Sequence, residues 1–449
     1  MKTFISIITI FLFALSTAFT QSGLPVKKEV EINRLLDSLW QNPTSFFNKT
    51  DHNWRMLCSD LQHIDLAKLN QIKDSVFLSK KSKIKNKSTA NTGFIGFLNK
   101  RSQNNKSNIF SEKMNNGFIS KKTQSKNKIV LVEGDSWFEY PLFLRDITDN
   151  LVDEKNLAVY SLASGGDWVA NMISGGEYQQ EYLALKPDVF ILSGGGNDIV
   201  DNDGITHFVT NQPIASNSSF LKDYKEYVIL RLNHKPVPMC TSGFCPIEYH
   251  LFQDSIQNYS DNIDTATVNK IVNVRRYLTK NFFRWLVTFK LEDKLLFESI
   301  HKLDSVHFKT LKIITQGYDY AIPSDTKKFG IRLFTGNGQW LKHPLEKAGI
   351  TDAYTQQSIV MALMFDFNEM LIELGKEYGN IYHVDVRGFT RFLEEHDHQP
   401  QGSYWFDELH PVNRVFEKIA GVYITIINNK TADKQRVYSV VDFYRDEKK

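Results

Sequence analysis

From Lys128 onward, short apolar runs alternate with longer amphipathic stretches. The runs are KIVLVEG at 128–134, LAVYSLAS at 157–164, DVFILSGG at 188–195, TLKIITQG at 310–317 and NIYHVDV at 380–386. Within each run apolar residues follow one another without a polar alternation. A strand of that kind has both faces covered, which is the habit of a parallel sheet between helices. Helical patterns separate the runs, and the last of them spans 412–428. With right-handed crossovers this predicts an α/β domain, a three-layer αβα sandwich around a five-stranded parallel sheet. The longest gap, between the third and fourth runs, holds amphipathic helical stretches at 219–233 and 265–305, the second rich in Phe, Leu and Trp. It is expected to be a helical insertion over about 203–308, placed where insertions shape a substrate site.

Upstream the texture differs. Lys2, an apolar run from Phe4 to Leu15, and the small residues Ser16 and Ala18 form a secretory signal pattern, assigned to 1–20. The run is too short to cross a bilayer, which needs about 20 apolar residues. The protein is therefore expected to be secreted or periplasmic. Residues 21–78 carry helical stripes (Leu35, Leu36, Leu39 and Trp40, then Leu57, Leu61 and Ile64) and are expected to form a small helical N-terminal region. Residues 79–127 are dominated by Lys, Asn and Ser, with about a dozen basic residues against one acid, Glu112. So few apolar residues cannot support a core, and the segment is expected to be a disordered or extended linker. Its charge also suits contact with an anionic surface. The α/β domain is assigned to 128–449.

Composition sharpens this picture in two places. The chain has 449 residues and a net charge of only +3, so the molecule as a whole lacks the basic excess of a nucleic-acid binder. Of its three cysteines, Cys240 and Cys245 sit in MCTSGFCP and can close a small disulfide loop in an oxidising compartment. A metal site is the weaker reading of that pair. Cys58, in a helical apolar pattern, is expected to be a small buried hydrophobe. The histidines show no ligand spacing, so neither a metal nor a cofactor is expected.

Four segments carry candidate chemistry. Gly134-Asp135-Ser136-Trp137 follows the first run, at the sheet edge where open α/β folds bind ligands. A serine hydroxyl there is a weak nucleophile that needs a base. Ser164-Gly165-Gly166-Asp167 follows the second run, where glycines allow a backbone N–H to approach a ligand closely. It also suits a strand-to-helix turn capped by Asp167. Gly194-Gly195-Gly196-Asn197-Asp198 follows the third, and Asn197 offers a neutral NH₂ donor suited to an oxyanion. A glycine turn with a helix cap explains it equally well. Asp407-Glu408-Leu409-His410 precedes the last helical pattern. An Asp three residues before a His can hold Nδ1 and leave Nε2 free to take a serine proton. Together the four supply nucleophile, oxyanion donors, base and orienting acid, in chain order and at one sheet edge. Tyr318, Asp319 and Tyr320 follow the fourth run and are candidates for the pocket, or else buried residues of a structural loop.

Gly134-Asp135-Ser136, Gly166, Gly195-Gly196-Asn197-Asp198 and Asp407-Glu408-Leu409-His410 resemble the four sequence blocks of the SGNH (GDSL-like) hydrolases. The resemblance covers roughly 128–428. It implies a flavodoxin-like sheet of strand order 2-1-3-4-5 and hydrolysis of a small-molecule, lipid or acylated-carbohydrate ester. It also implies a triad of Ser136, His410 and Asp407, with oxyanion donors Ser136 N–H, Gly166 N–H and Asn197. Of the two adjacent glycines, Gly166 is preferred over Gly165 because it directly precedes Asp167, as in the family's block. Trp137 stands where that family usually has Leu, and the second block has no nearby upstream Asn. Trp137, Asp167 and Asp198 join the three residues of 318–320 as candidates for the substrate pocket. An acyltransferase or a non-catalytic binding module on the same fold are the other functions this resemblance allows.

Overall fold

The structure is a computed structural model in which residues 93–446 are described, except 117, 119–126, 141–143, 326–339, 430–435 and, apart from 225, 228 and 229, 214–264. The expected signal segment, the helical region 21–78, and Cys58, Cys240 and Cys245 lie outside the described residues.

Each apolar run forms a strand, and nearly every strand residue is buried. These strands are β1 (Lys128–Glu133), β2 (Leu157–Ser161), β3 (Val189–Ser193), β4 (Lys312–Gln316) and β5 (Ile381–Asp385). The principal helices up to β4 are α1 (Gly93–Asn115), α2 (Ile147–Val152), α3 (Val169–Gly175), α4 (Glu177–Leu185), α5 (Gly196–Val200), α6 (Thr265–Val274) and α7 (Lys280–Leu303). After it come α8 (Ala353–Glu377), α9 (Phe389–Asp397), α10 (Asn413–Asn428) and α11 (Val440–Asp446).

The sheet is wholly parallel, in the order β2-β1-β3-β4-β5-β6, with helices on both sides. In its register Val130 of β1 pairs with Val159 on one flank and Val189 on the other. The order expected for five strands is present, and a sixth, β6 (Val437–Ser439), extends it by pairing with His383–Asp385. The count of five is corrected on that account. Three residues at a sheet edge carry too little apolar pattern to stand out from a turn. On one face α7 packs against α3, α4 and α8, while α2 and α10 pack on each other.

Two further expectations change. The basic stretch 79–127 is not extended throughout: over Gly93–Asn115 it is helix α1, which lies on β2. Phe110, with Phe118, Ile129 and Ala158, forms a small buried cluster beneath it. Its lysines replace an apolar stripe as anchors. Lys113 donates to the carbonyls of Val152, Glu154 and Leu157 at 2.7–2.8 Å. The second change concerns the aromatic stretch 265–305, which covers the sheet. Trp285 is fully buried, with ring centroids 6.0 Å from Phe282, 5.3 Å from Phe289 and 5.6 Å from Phe367. Those rings are core rather than a substrate surface.

β1 and β3 are neighbours, and the connection leaving β1 runs to one side of the sheet while that leaving β3 runs to the other. The crevice at such a switch point is where open α/β sheets bind ligands. Here it receives the loops that follow β1 and β3. The β3 loop passes so close to α7 and α8 that only glycine fits. Gly195 has φ +104°, and an added Cβ would stand 2.7 Å from Phe289 and 2.8 Å from Phe367. Gly195→Ala is therefore expected to lose about 2–5 kcal/mol, from left-handed strain plus overpacking. Urea unfolding at pH 7 measures this, and a change within 0.5 kcal/mol in either direction, about that of a neutral surface substitution, would contradict the packing described.

Candidate active site

β1 ends at Glu133, and the chain turns sharply. The Phe138 and Glu139 N–H groups both donate to the Asp135 carbonyl at 3.0 Å, which leaves Ser136 at the turn's tip. The Asp135 side chain is buried and braces the turn from inside, accepting from Trp137 N–H at 3.1 Å and from the Tyr318 hydroxyl. That hydroxyl in turn accepts from Gly196 N–H at 2.9 Å. One tyrosine thus ties the loops after β1, β3 and β4 together. Burial pushes the Asp135 carboxyl up to about 6, against the opposing pull of its Tyr318 and Trp137 hydrogen bonds.

The second half of the site is a tight turn closed by antiparallel pairing of Trp405 with Pro411 and by Phe406 N–H donating to the His410 carbonyl at 2.8 Å. Inside it, Asp407 Oδ1 accepts the Leu409 and His410 N–H groups at 2.8 Å each. The same carboxylate lies 2.9 and 3.0 Å from His410 Nδ1. His410 Nε2 lies 2.7 Å from Ser136 Oγ. With Nδ1 donating to the carboxylate, Nε2 is the acceptor for the serine hydroxyl, an assignment made from the hydrogen-bond pattern. Burial alone would raise the Asp407 carboxyl, but the His410 ring and the two backbone N–H groups hold it below the usual aspartate range.

Two contacts in this half were not legible in the sequence. The Tyr140 hydroxyl donates to Asp407 Oδ2 at 3.3 Å, and its ring meets His410 edge-on at 4.7 Å between centroids. Glu408 points away from His410, and its buried carboxylate accepts four backbone N–H groups, of Ser324, Trp340, Leu341 and Lys342. The histidine turn is thereby fastened to the chain on both sides of 326–339. Trp137 adds a third fastening, its indole N–H donating to the Leu409 carbonyl at 3.0 Å.

The expected oxyanion donors divide. Ser136 N–H and Gly166 N–H have no acceptor among the described residues. Asn197 is oriented by one amide hydrogen, given to the Asp167 carbonyl at 3.1 Å, which leaves the other available. Asn197 and Ser136 border the same open cavity, whose described wall does not include Gly166. Gly166 itself is left-handed, with φ +84°.

Trp137, Tyr318 and Asp319 also border this cavity, whereas Asp167, Asp198 and Tyr320 do not line it. The Asp198 carboxylate is turned to Val169 N–H at 3.4 Å, and that of Asp167 to the Asn171 amide at 3.3 Å. Neither caps a helix: the cap positions are Trp168 and Gly195. Asp319 accepts the N–H groups of Tyr320, Gly388 and Thr390 at 2.6–2.9 Å, so its carboxylate holds the β4 and β5 loops together. The rest of the wall is apolar, from Ile199, Val200, Leu341, Val360 and Met364. Among the described residues no group of three or more His, Cys, Asp or Glu is placed to hold a metal ion, and no helix is long and apolar enough to cross a membrane.

No protein-family model matches the chain, and no curated protein does. Among solved structures it is similar to a protein from Parabacteroides merdae provisionally described as a GDSL-like lipase, with 12% identity, 68% of this chain and 98% of that one covered, and a TM-score of 0.33. It is similar also to the lipase Lip_vut3 from a goat rumen metagenome, at 12% identity, 68% and 99% coverage and TM-score 0.33. A third is Axe2, an acetylxylan esterase from Geobacillus stearothermophilus, at 11% identity, 69% and 97% coverage and TM-score 0.29.

The buried Asp135 yields a prediction about pH. Its carboxyl, near 6 in the folded protein, lies above the unfolded value of about 3.9. The folded state then binds that proton more tightly, so this group's contribution to stability falls as pH rises from about 4 to 6. Asp135→Asn removes the effect. Its stability relative to wild type should shift in the variant's favour by on the order of 3 kcal/mol between pH 4 and pH 7. Unfolding midpoints across that range check this, and a difference that does not change with pH would contradict it.

Proposed function

We propose that this chain is a serine ester hydrolase of the SGNH type, exported from the cytoplasm, that cleaves a carboxylic ester through an acyl-enzyme on Ser136. The observation that carries the proposal is the relay from Ser136 Oγ to His410 Nε2 at 2.7 Å and from His410 Nδ1 to Asp407 at 2.9 Å. In the first step the serine oxygen attacks the ester carbonyl while its proton passes to Nε2. The imidazolium so formed is stabilised by the Asp407 carboxylate. Ser136 N–H, Gly166 N–H and the Asn197 amide are the donors to the tetrahedral oxyanion, and losing one such donor costs about 2.7–4 kcal/mol. The imidazolium then protonates the leaving alcohol. A water deprotonated by His410 attacks the acyl-enzyme and releases the acid. Export rests on the Lys2 and Phe4–Leu15 pattern.

The cavity beside Ser136 has a largely apolar wall, which suits the uncharged chain of an acyl group rather than a charged end.

With p-nitrophenyl acetate, Ser136→Ala should lose activity by about 10⁴–10⁶-fold while its unfolding midpoint stays that of wild type. Retained turnover would remove Ser136 from the mechanism.

A further inference from the structure

Helix α1 lies upstream of the sheet, yet two of its side chains reach the loops that form the site. Gln103 donates to the Ala163 carbonyl at 2.6 Å, just ahead of the turn that carries Gly166. Lys106, 2% exposed, lies 2.7 Å from Glu139, 3.1 Å from Asp146 and 3.2 Å from Asp149. Glu139 and Tyr140 stand three and four residues beyond Ser136. The Asp146 carboxylate accepts Tyr140 N–H at 3.0 Å and caps α2 in a reciprocal box with Asp149. Lys106 also approaches the Phe138 carbonyl at 3.5 Å.

Two buried carboxylates, Glu139 and Asp146, would stand uncompensated behind the nucleophile turn without this ammonium. Breaking a buried ion pair from one side is strongly destabilising to the local arrangement, because the remaining charge seeks water. Burial alone would lower the Lys106 ammonium's pKa, but the three carboxylates outweigh that and hold it charged. The backbone they fix is that of Tyr140, whose hydroxyl reaches Asp407 and whose ring abuts His410.

We propose that Lys106 is a positioning residue for the triad: its ion pairs with Glu139 and Asp146 hold the 138–140 turn so that Tyr140 keeps Asp407 and His410 aligned on Ser136. Helix α1 is then a working part of the catalytic scaffold. The inference rests on the serine hydrolase reading and deepens it.

The test uses the full-length protein, p-nitrophenyl acetate, and the variants Lys106→Met, Tyr140→Phe and their double. Misplacing a catalytic group by about 1 Å costs on the order of 10²-fold in rate. Lys106→Met should therefore lower kcat about 10–100-fold with KM changed less than about threefold. In the Tyr140→Phe background the same substitution should cost less than about twofold, because the route through Tyr140 is already cut. An unchanged kcat in Lys106→Met, or the full loss persisting in the Tyr140→Phe background, would overturn the proposal. If Lys106→Met does not fold, Lys106→Met with Glu139→Gln relieves part of the stranded charge and is judged by the same two criteria. Should Ser136→Ala keep its activity, the hydrolase reading fails first. Should Ser136→Ala be inactive while Lys106→Met is unaffected, only this inference fails.

Discussion

A serine hydroxyl is a weak nucleophile until a base waits at hydrogen-bond distance, and in this chain Ser136 and the His410 ring that meets it are 274 positions apart. Everything else in the fold bears on that one contact. The parallel sheet brings the end of β1 to the crevice beside β3. The chain then returns after β5 in a turn that lays His410 over Ser136. A 2.7 Å contact between turns so remote in sequence persists only if both are held from several directions, since each is loop rather than sheet.

Each turn does have several fastenings, hydrogen bonds that are buried or partly buried. The serine turn is held by Asp135 and, through Tyr318, by Gly196. The histidine turn is held by Glu408 and by Trp137, the residue next to Ser136, so the two turns are joined directly. Such groups cost free energy when stranded and add little when satisfied. They act here less as sources of stability than as constraints on geometry. The apolar packing of α7 and α8, with Gly195 squeezed against Phe289 and Phe367, supplies the stiffness behind them.

Much of this was legible from residue order. Continuous apolar runs ending in Gly-Asp-Ser, Gly-Gly-Asp and Gly-Gly-Asn-Asp predict both a buried parallel sheet and the edge where those segments meet. What escaped were contacts between side chains with no periodic or motif signal. Nothing in the spacing of Tyr140 or Glu408 tells which way each points. Asp167 and Asp198 were pocket candidates, yet their carboxylates accept from Asn171 and from Val169 N–H, the commoner fate of a buried aspartate. Tyr320 likewise falls outside the cavity wall. Helix α1 was missed for a different reason. Its composition reads as a solvated linker, and its anchors are Lys106, which pairs with Glu139 and Asp146, and Lys113, which donates to carbonyls of 152–157, all more than thirty residues downstream. β6 was too short to show a pattern.

The central claim is that Ser136 is made nucleophilic by His410, and covalent capture tests it most directly. The folded protein is treated with a fluorophosphonate, digested, and mapped by peptide mass. One phosphonyl adduct is expected, on the peptide bearing Ser136, formed far more slowly when His410 is replaced by Ala. An unmodified Ser136 in folded protein, or labelling that does not respond to His410→Ala, would contradict it.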